Sequence, residues 1–374
     1  MKSLLPIAFL LSSFFCSAQN LYLFTGTYTG SGSKGIYVYR FNILTGKATW
    51  VSNTDSVANP SYVIISNNGN FVYAVNETNG INPGKVSAFS FNKNKGTLKL
   101  LNSEFTGGDD PCHLSISKDS KWLLAANYTG GSVSVFPLNK NGSLNPYTQL
   151  KQDSGKSINK ERQEKAHVHA AVFSPDEAYI FTPDLGTDKL MIYKFNSLSL
   201  QPLTASSPPY VKAIPGSGPR HFIFHPNKKF AYLINELSGS VTTYIYDKGK
   251  LAEVQQSITH PKGYKGIPGS AEIIISPDGK FLYASNRGDE NTITIFSINS
   301  LTGKLKVKGY QSTLGKTPRN FIIDPTGTYL LVANQETDNI VIFKRDSKTG
   351  FLKETKEQIH VPKPVCLQMI EIKK

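Results

Sequence analysis

The sequence predicts an all-β protein, a seven-bladed β-propeller with four-stranded antiparallel blades. Three observations lead to this prediction. A segment of two paired strands recurs six times, its copies beginning 48 to 57 residues apart. A third and a fourth strand follow each copy, and the two ends of the chain supply complementary parts of a seventh blade. Four strands in a period of about 50 residues are typical of propeller blades.

The paired strands are short apolar runs joined by tight turns of the Ser-Pro-Asp-Gly kind, which suit a hairpin. The first strands begin at equivalent positions: Ser61, Cys112, His169, Arg220, Ala271 and Arg319. The second strands end on a shared polar side chain: Asn76, Asn127, Asp184, Asn235, Asn286 and Asn334. We expect this shared side chain to be structural and to cap the turn that follows it.

The ends of the chain complete the ring. Residues 20–25 and 35–41, with the strand after Lys47, are a second, third and fourth strand that lack a first. Residues 365–372 are a first strand that lacks the others. Placing both ends in one blade closes the ring and removes the exposed edges of an open array. The longest period has its extra residues in 151–165, a polar segment predicted to be an exposed loop.

Residues 1–18 are predicted to be a secretory signal peptide. Lys2 supplies a positive charge, and residues 4–15 are apolar but too few to span a bilayer. Cleavage after Ala18 would leave a single propeller domain, residues 19–374. We expect this domain to be exported and, in a host with an outer membrane, periplasmic.

The cysteines fit a soluble exported protein. A lipoprotein with Cys16 as its lipidated residue is an alternative, which the two bulky phenylalanines before that cysteine disfavour. Cys112 and Cys366 lie in copies that are not neighbours, and two thiols do not make a disulfide framework. We therefore expect both to be free and buried. No segment after the leader is long and apolar enough to span a membrane.

The charge of the chain favours a small anionic ligand. The formal net charge is +14, spread along the sequence. Nucleic acid is not the expected partner, because a basic stripe with interleaved aromatic residues is missing. A basic surface would attract small anionic substrates. The sequence does not indicate an oligomeric state.

Ionisable side chains cluster where the copies differ. The first residues of the inner strands and the residue after the shared Asn should meet at one mouth of the channel, and packing needs no charge there. Four such residues belong to three consecutive blades: His169, Arg220, Glu236 and Arg287. Four more should lie nearby and contact substrate: His113, His221, Glu272 and Arg319. An ion network that only neutralises buried charge is the structural alternative to a functional site.

His167 and His169 form a His-Val-His pair that allows two interpretations. Side chains two apart on a strand face the same side and could hold a metal. A carboxylate as third ligand is not evident at a matching spacing, and no Cys/His set has the spacing of a zinc site. We therefore expect no metal, and we assign His167 to substrate binding.

Several motifs together resemble the seven-bladed propeller lactonases, which include bacterial propeller-type 6-phosphogluconolactonases and fungal carboxymuconate cyclases. The similarity covers essentially the whole chain after the leader. The motifs are His-Val-His (167–169), Asp-Leu-Gly-Thr-Asp (184–188), Gly-Ser-Gly-Pro-Arg-His (216–221), Asn-Glu-Leu (235–237), Ser-Pro-Asp-Gly (276–279), Ser-Asn-Arg-Gly (285–288) and Pro-Arg (318–319).

The resemblance implies a site without metal or cofactor at one mouth of the channel. The catalytic residues of the family match His169, Arg220, Glu236 and Arg287, the same four that differ among the copies. Arg319 matches a further residue that contacts an anion. The known role of 6-phosphogluconolactonases is cytosolic, whereas this chain carries a predicted export signal. The export signal therefore conflicts with a phosphorylated substrate but not with the fold that the resemblance implies.

These arguments predict hydrolysis of a sugar-acid lactone, with 6-phosphogluconolactone as the reference substrate. His169 or Glu236 would act as general base, and the sequence does not decide between them. Arg220 and Arg287 would hold an anionic group and stabilise the tetrahedral intermediate. A serine nucleophile is not expected, because the chain has no Gly-x-Ser-x-Gly elbow.

Two alternatives remain open on the sequence. The same arginines could hold the carboxylates of an unsaturated diacid in a lactone-forming cyclase. A propeller without catalytic activity could use the channel mouth to bind an anionic sugar or a peptide. Product analysis separates the first alternative from hydrolysis, and recovery of intact ligand identifies the second.

Overall fold

A computed structural model describes residues 20–30, 32–55 and 57–372. These residues form 28 strands in seven four-stranded antiparallel sheets, with no α-helix among them. The sheets are the blades of a ring, which confirms the predicted seven-bladed β-propeller. The predicted signal peptide lies outside the described residues. No helix in the described part of the chain has the length and apolarity that crossing a membrane requires.

The strands are numbered in chain order, and every blade contains four of them. Blade 1 takes three strands from the start of the chain: β1 (Asn20–Thr27), β2 (Tyr37–Asn42) and β3 (Ala48–Asn53). Blade 2 contains β4 (Val63–Ile65), β5 (Phe71–Asn76), β6 (Lys85–Asn92) and β7 (Thr97–Phe105). Blade 3 contains β8 (Pro111–Ile116), β9 (Trp122–Asn127), β10 (Ser132–Pro137) and β11 (Gln149–Gln152). Blade 4 contains β12 (Val172–Phe173), β13 (Tyr179–Asp184), β14 (Lys189–Phe195) and β15 (Leu203–Lys212).

The remaining blades follow the same order from the inner strand outwards. Blade 5 contains β16 (Pro219–Phe224), β17 (Phe230–Asn235), β18 (Ser240–Asp247) and β19 (Lys250–Ile258). Blade 6 contains β20 (Ser270–Ile275), β21 (Phe281–Asn286), β22 (Thr292–Ile298) and β23 (Leu305–Ser312). Blade 7 contains β24 (Pro318–Ile323), β25 (Tyr329–Asn334), β26 (Asn339–Arg345) and β27 (Leu352–His360). The last strand, β28 (Pro364–Glu371), returns to blade 1 as its inner strand.

The two ends of the chain close the ring, as predicted. Strand β28 pairs antiparallel with β1, from Leu21 opposite Glu371 to Thr27 opposite Pro364. The pairing supplies the inner strand that blade 1 otherwise lacks. It covers the inner edge of β1, which could otherwise pair with another chain.

The hydrophobic core lies between adjacent blades. Seven apolar clusters each join residues of two neighbouring blades, for example Trp122 of β9 with Ile180 of β13. The middle strands of a blade pack against neighbours on both faces, so β9 is buried along its whole length. This explains why these strands are continuous apolar runs instead of alternating with polar residues. Cys112 and Cys366 are free and buried, which confirms that prediction.

The shared side chain at the end of the second strand has two roles, and only one was predicted. Asp184 accepts hydrogen bonds from the backbone N–H groups of Gly186 (2.9 Å) and Thr187 (3.2 Å), and it caps the turn as expected. Asn235 instead donates to Ser240 Oγ and Thr242 Oγ1, both at 3.1 Å. Its amide links two strands because it carries N–H donors that match hydroxyl groups on the third strand.

The inner strand of blade 4 is shorter than predicted. The repeat pattern places its start at His169, whereas β12 begins at Val172 and is preceded by an isolated bridge from Val168 to Asp184. Pro183 in the neighbouring strand explains the difference. Its carbonyl accepts the N–H of His169 at 2.9 Å, but proline has no N–H to return a ladder bond.

Candidate active site

Bulges in the inner strands bring consecutive side chains to the channel mouth. In β16 the pairing shifts between Pro219 and His221, so Arg220 has no partner in the ladder. The same shift occurs around Cys112 in β8 and Arg319 in β24. Residues of a regular strand alternate between its faces, and a bulge re-aims one of them. Arg220 and His221 can therefore both face the same centre.

Glu236 is the centre of the site. Its Oε2 accepts a hydrogen bond from Arg220 Nε at 2.9 Å and forms an ion pair with Arg287 Nη2 at 3.0 Å. Its Oε1 accepts one from Arg162 Nη2 at 2.8 Å. The Nε2 atom of His169 lies 3.9 Å from Oε2. The structure thus brings together the four residues predicted to be catalytic and adds a third arginine.

The arginines keep Glu236 ionised. Burial alone would raise the pKa of this carboxyl group, but Arg287, Arg220 and Arg162 lower it to about 2. Burial also lowers the pKa of Arg220, with repulsion from Arg287 adding to the effect, to about 10. Both groups remain charged at neutral pH. A carboxylate that is satisfied by three guanidinium groups has little tendency to take up a proton.

His169 is neutral at physiological pH. Burial lowers its pKa well below the ordinary value, and the positive charge of Arg220 lowers it further. Its Nδ1 lies 3.7 Å from Cys112 Sγ, and its ring packs edge-on against Tyr128. Because the ring is unprotonated, one of its nitrogens is available to accept a proton.

A second carboxylate supports Arg220 from behind. Burial alone would raise the pKa of Glu272, but His221 and its hydrogen bonds lower it, so the group is an anionic acceptor. His221, whose pKa burial lowers, donates from Nδ1 to Glu272 Oε1 at 2.9 Å. Its Nε2 therefore has a free lone pair and accepts a hydrogen bond from Arg220 Nη1 at 3.2 Å. Asn320 donates to the other oxygen of Glu272.

A cavity of about 330 Å³ continues along the channel away from the mouth. Its lining includes His113, His221 and Glu272, together with apolar residues further along the inner strands. Glu236 and the three arginines do not line it. His113 packs against Tyr62, with 4.4 Å between ring centroids, and burial lowers the pKa of His113 well below its ordinary value.

Arg319 belongs to a different part of the mouth. Its Nη2 lies 3.8 Å from Glu77 Oε2, and its guanidinium stacks over the ring of Tyr28 at 5.3 Å. Tyr28 also donates to Glu77 Oε1 at 2.8 Å. Glu77 follows the shared Asn76 and is not among the site residues predicted from the sequence. Arg319 thus has its own carboxylate and does not share Glu236.

His167 lies at the edge of the site. Its ring stacks on Tyr128 with 4.5 Å between centroids, and its Nε2 lies 3.1 Å from Glu164 Oε1. Its backbone N–H donates to Asp184. The ring therefore faces Glu164, whereas His169 faces Glu236. Among the described residues, no three His, Cys, Asp or Glu side chains are placed to hold a metal ion.

Comparison with known proteins identifies the family. The family model "Lactonase, 7-bladed beta-propeller" matches residues 22–369. The chain belongs to this lactonase family. A 6-phosphogluconolactonase of Formosa agariphila is 42% identical over 349 residues, which cover 93% of this chain and 99% of that protein. A 6-phosphogluconolactonase of Bacillus subtilis is 36% identical over 93% of this chain and 97% of its own length.

Solved structures agree with this assignment. The structure of the periplasmic gluconolactonase of Pseudomonas aeruginosa superimposes with a TM-score of 0.90 at 36% identity. The match covers 94% of this chain and all of that one. Lactone hydrolysis is therefore the reaction class of this family member.

Arg162 is the residue around Glu236 that the sequence did not predict. It lies in the connection 153–171 between β11 and β12, within the segment 151–165 that was predicted only to be an exposed polar loop. Among the described residues, no other blade has a connection of equal length before its inner strand, so the repeats carry no position equivalent to Arg162. A signal was nevertheless present, because the longest period places its extra residues at the mouth where the inner strand of blade 4 begins.

Proposed function

We propose that this lactonase hydrolyses a sugar-acid lactone, with 6-phosphoglucono-1,5-lactone as the reference substrate and 6-phosphogluconate as its product. The observation that carries the proposal is the centre at the channel mouth. There, Glu236 holds three arginines beside the neutral His169. The relatives named as 6-phosphogluconolactonases support the same substrate.

In the proposed mechanism His169 is the general base and Glu236 orients the arginines. His169 removes a proton from water as the water oxygen attacks the lactone carbonyl carbon. Arg220 and Arg287 stabilise the negative charge that develops on the carbonyl oxygen. The C–O bond of the ring then breaks, and the proton on His169 passes to the leaving ring oxygen. The pKa of Glu236, about 2, disfavours this carboxylate as the base.

The proposal includes no metal and no cofactor. The charges that the reaction needs are supplied by guanidinium groups, which stabilise an oxyanion as a Lewis acid would. Arg220 can do so because it is held on two sides, by Glu236 and by His221. His113 and Arg319 would contact the substrate from the channel and from the far side of the mouth.

We place the mature enzyme outside the cytoplasm. Residues 1–18 have the pattern of a secretory signal peptide, with cleavage after about Ala18. The similar lactonase of Pseudomonas aeruginosa is described as periplasmic, which supports the same location for this chain. Expression with residues 1–18, followed by fractionation and N-terminal sequencing, tests the assignment. A protein that retained these residues in the cytoplasm would contradict it.

The experiment that tests the activity is lactone hydrolysis by residues 19–374 with a chelator present. The panel contains 6-phosphogluconolactone, gluconolactone and a uronic-acid lactone, each corrected for spontaneous opening. We expect chelator-resistant turnover that falls on Arg220→Ala. Loss of activity with chelator would overturn the metal-free mechanism. No turnover of any lactone would favour the cyclase or a binding protein instead.

A further inference from the structure

The loop that carries Arg162 has a fixed backbone. Asn159 Oδ1 accepts the backbone N–H groups of Glu161 and Arg162, both at 3.1 Å, and forms a tight turn. Gln163 is fully buried and donates from Nε2 to Leu185 O at 2.8 Å. Each of these bonds fixes the backbone next to Arg162. The position of the Cα atom is therefore set by the loop, and only the side chain is free to move.

The guanidinium of Arg162 is the outermost of the three around Glu236. Its side chain is 44% exposed, whereas that of Arg220 is 2% exposed. Nη2 contacts both Glu236 Oε1 and Tyr128 OH. Among the described residues, its Nε and Nη1 have no hydrogen-bond acceptor. Arginine carries five N–H donors in a planar fork, so most of the fork of Arg162 is open to a ligand at the mouth.

The centre carries more positive than negative charge. Three guanidinium groups surround Glu236, and His169 is neutral. Glu77 offsets Arg319, and the anionic Glu272, whose partner His221 is neutral, offsets one further charge, so a local surplus of one positive charge remains. A surplus of this kind attracts an anion. A phosphate monoester carries about −1.5 to −2 at neutral pH and would offset it.

We propose that Arg162 is the residue that selects lactones with an anionic substituent. Without substrate it neutralises Glu236, and with substrate its open fork binds the phosphate or carboxylate of the sugar acid at the mouth. Arg220 and Arg287, which lie deeper, then act on the lactone group. The inference rests on the proposed function, since it assigns the substrate class of that same site.

The test compares three lactones that differ in charge. The value of kcat/KM is measured for 6-phosphogluconolactone, for a glucarolactone that keeps a free carboxylate, and for uncharged gluconolactone. The readout is the kcat/KM of each charged lactone divided by the kcat/KM of gluconolactone, because a general loss of activity cancels in this ratio. In Arg162→Gln we expect the ratio to fall about 10-fold or more, mainly through KM. The charged lactone whose ratio falls identifies phosphate or carboxylate as the recognised group.

Two further variants control for charge and geometry. Lys160→Gln removes the same charge from an exposed position of the same loop, where the described residues provide no ion pair, and it should leave the ratios unchanged. Arg162→Lys keeps the charge but loses the fork, and it should restore part of the ratio. An equal change of the ratios in Lys160→Gln and Arg162→Gln, or unchanged ratios in Arg162→Gln, would overturn the role of Arg162.

A binding measurement separates this inference from the proposed activity. Calorimetry with 6-phosphogluconate needs no turnover, and its affinity should fall about 10-fold in Arg162→Gln. If the wild-type protein opens no lactone but binds 6-phosphogluconate in an Arg162-dependent way, the activity is refuted and the anion site remains. Equal affinity in the wild type and Arg162→Gln, or no binding by either, would overturn the anion site.

Discussion

Glu236 holds together a set of like charges that would otherwise repel each other. Arg220 is almost completely buried, and its guanidinium is tolerated there because Glu236 and His221 accept its N–H groups. Removing one partner of a buried ion pair leaves the other charge uncompensated, which costs about 3–5 kcal/mol. The residue that orders the site is therefore also important for the stability of the fold.

Glu236→Gln should lower both activity and stability. Without the carboxylate the arginines lose their common negative charge and one of its two acceptor oxygens, so they shift, and a misplacement of about 1 Å can cost about 100-fold in rate. We expect kcat/KM to fall by that factor and the free energy of unfolding to fall by about 3 kcal/mol. Glu290→Gln is the matched control, because it breaks a buried pair with His260 outside the site. It should lower stability alone. Equal rates in wild type and Glu236→Gln would contradict the argument.

His169 should set the acidic limit of activity. Burial lowers its pKa well below 6.5, so the ring stays neutral as the pH falls through 6.5 and is protonated only at more acidic pH. Because a protonated base cannot accept a proton, we expect kcat/KM to stay flat as the pH falls from 8 through 6.5 and to decline only at more acidic pH. His169→Ala should cost about 10²- to 10⁴-fold. Little loss in both His169→Ala and Glu236→Gln would refute the mechanism.

At the scale of elements, turns and loops position the site. Asp188, in the turn between β13 and β14, accepts the N–H of Gly216 at 2.6 Å and that of Gly218 at 2.7 Å. It also accepts a hydrogen bond from Ser157 in the Arg162 loop. One carboxylate thus joins the segment that leads to Arg220 with the loop that carries Arg162. The two arginines keep their relative position through Asp188.

Gly186→Ala should displace the Arg162 loop. A Cβ at Gly186 would lie 1.7 Å from Lys165 O and 2.9 Å from His167 N, so the end of the loop would have to move. Overpacking of this kind costs about 1–3 kcal/mol, and we expect a lower melting temperature together with reduced lactonase activity. Gly269→Ala is the control for stability, since its Cβ would lie 3.6 Å from the nearest atom, Arg287 Cβ, which is an ordinary van der Waals contact. An unchanged melting temperature for Gly186→Ala would show that the loop adapts freely.

The limits of prediction from sequence also follow from these elements. The blades were predictable because each must bury both faces of its middle strands, which imposes the same pattern seven times. Arg220 and Glu236 were predictable because each places a charge at a position of the repeat where packing needs none: the start of the inner strand and the residue after the shared Asn. Arg162 was not, because its loop is held by single contacts such as Gln163 to Leu185, which leave no periodic trace. The short β12 could not be predicted either, because it depends on how Pro183 pairs with His169 in the folded structure.

The ring as a whole depends on its closing strand. Strand β28 provides the inner edge of blade 1 and lies between blades 7 and 2. Leu367 belongs to the apolar cluster shared with blade 7, and Cys366 to the one shared with blade 2. Leu367 N also donates to Asn320 Oδ1, whose amide supports Glu272. The end of the chain therefore contributes both to closure and to the site.

Deletion of residues 362–374 should prevent cooperative folding. The deletion removes Val365, Cys366 and Leu367, which are nearly inaccessible to solvent, and burial of each apolar side chain contributes about 1.5–3 kcal/mol. Their sum is comparable with the whole stability of about 5–15 kcal/mol of a typical domain, and the loss also exposes the edge of β1. Gel filtration and thermal melting followed by circular dichroism should show aggregation and no sharp transition. Deletion of residues 373–374 is the control and should melt like the full chain. A sharp transition at the wild-type temperature after the longer deletion would mean that the blades remain assembled without closure of the ring.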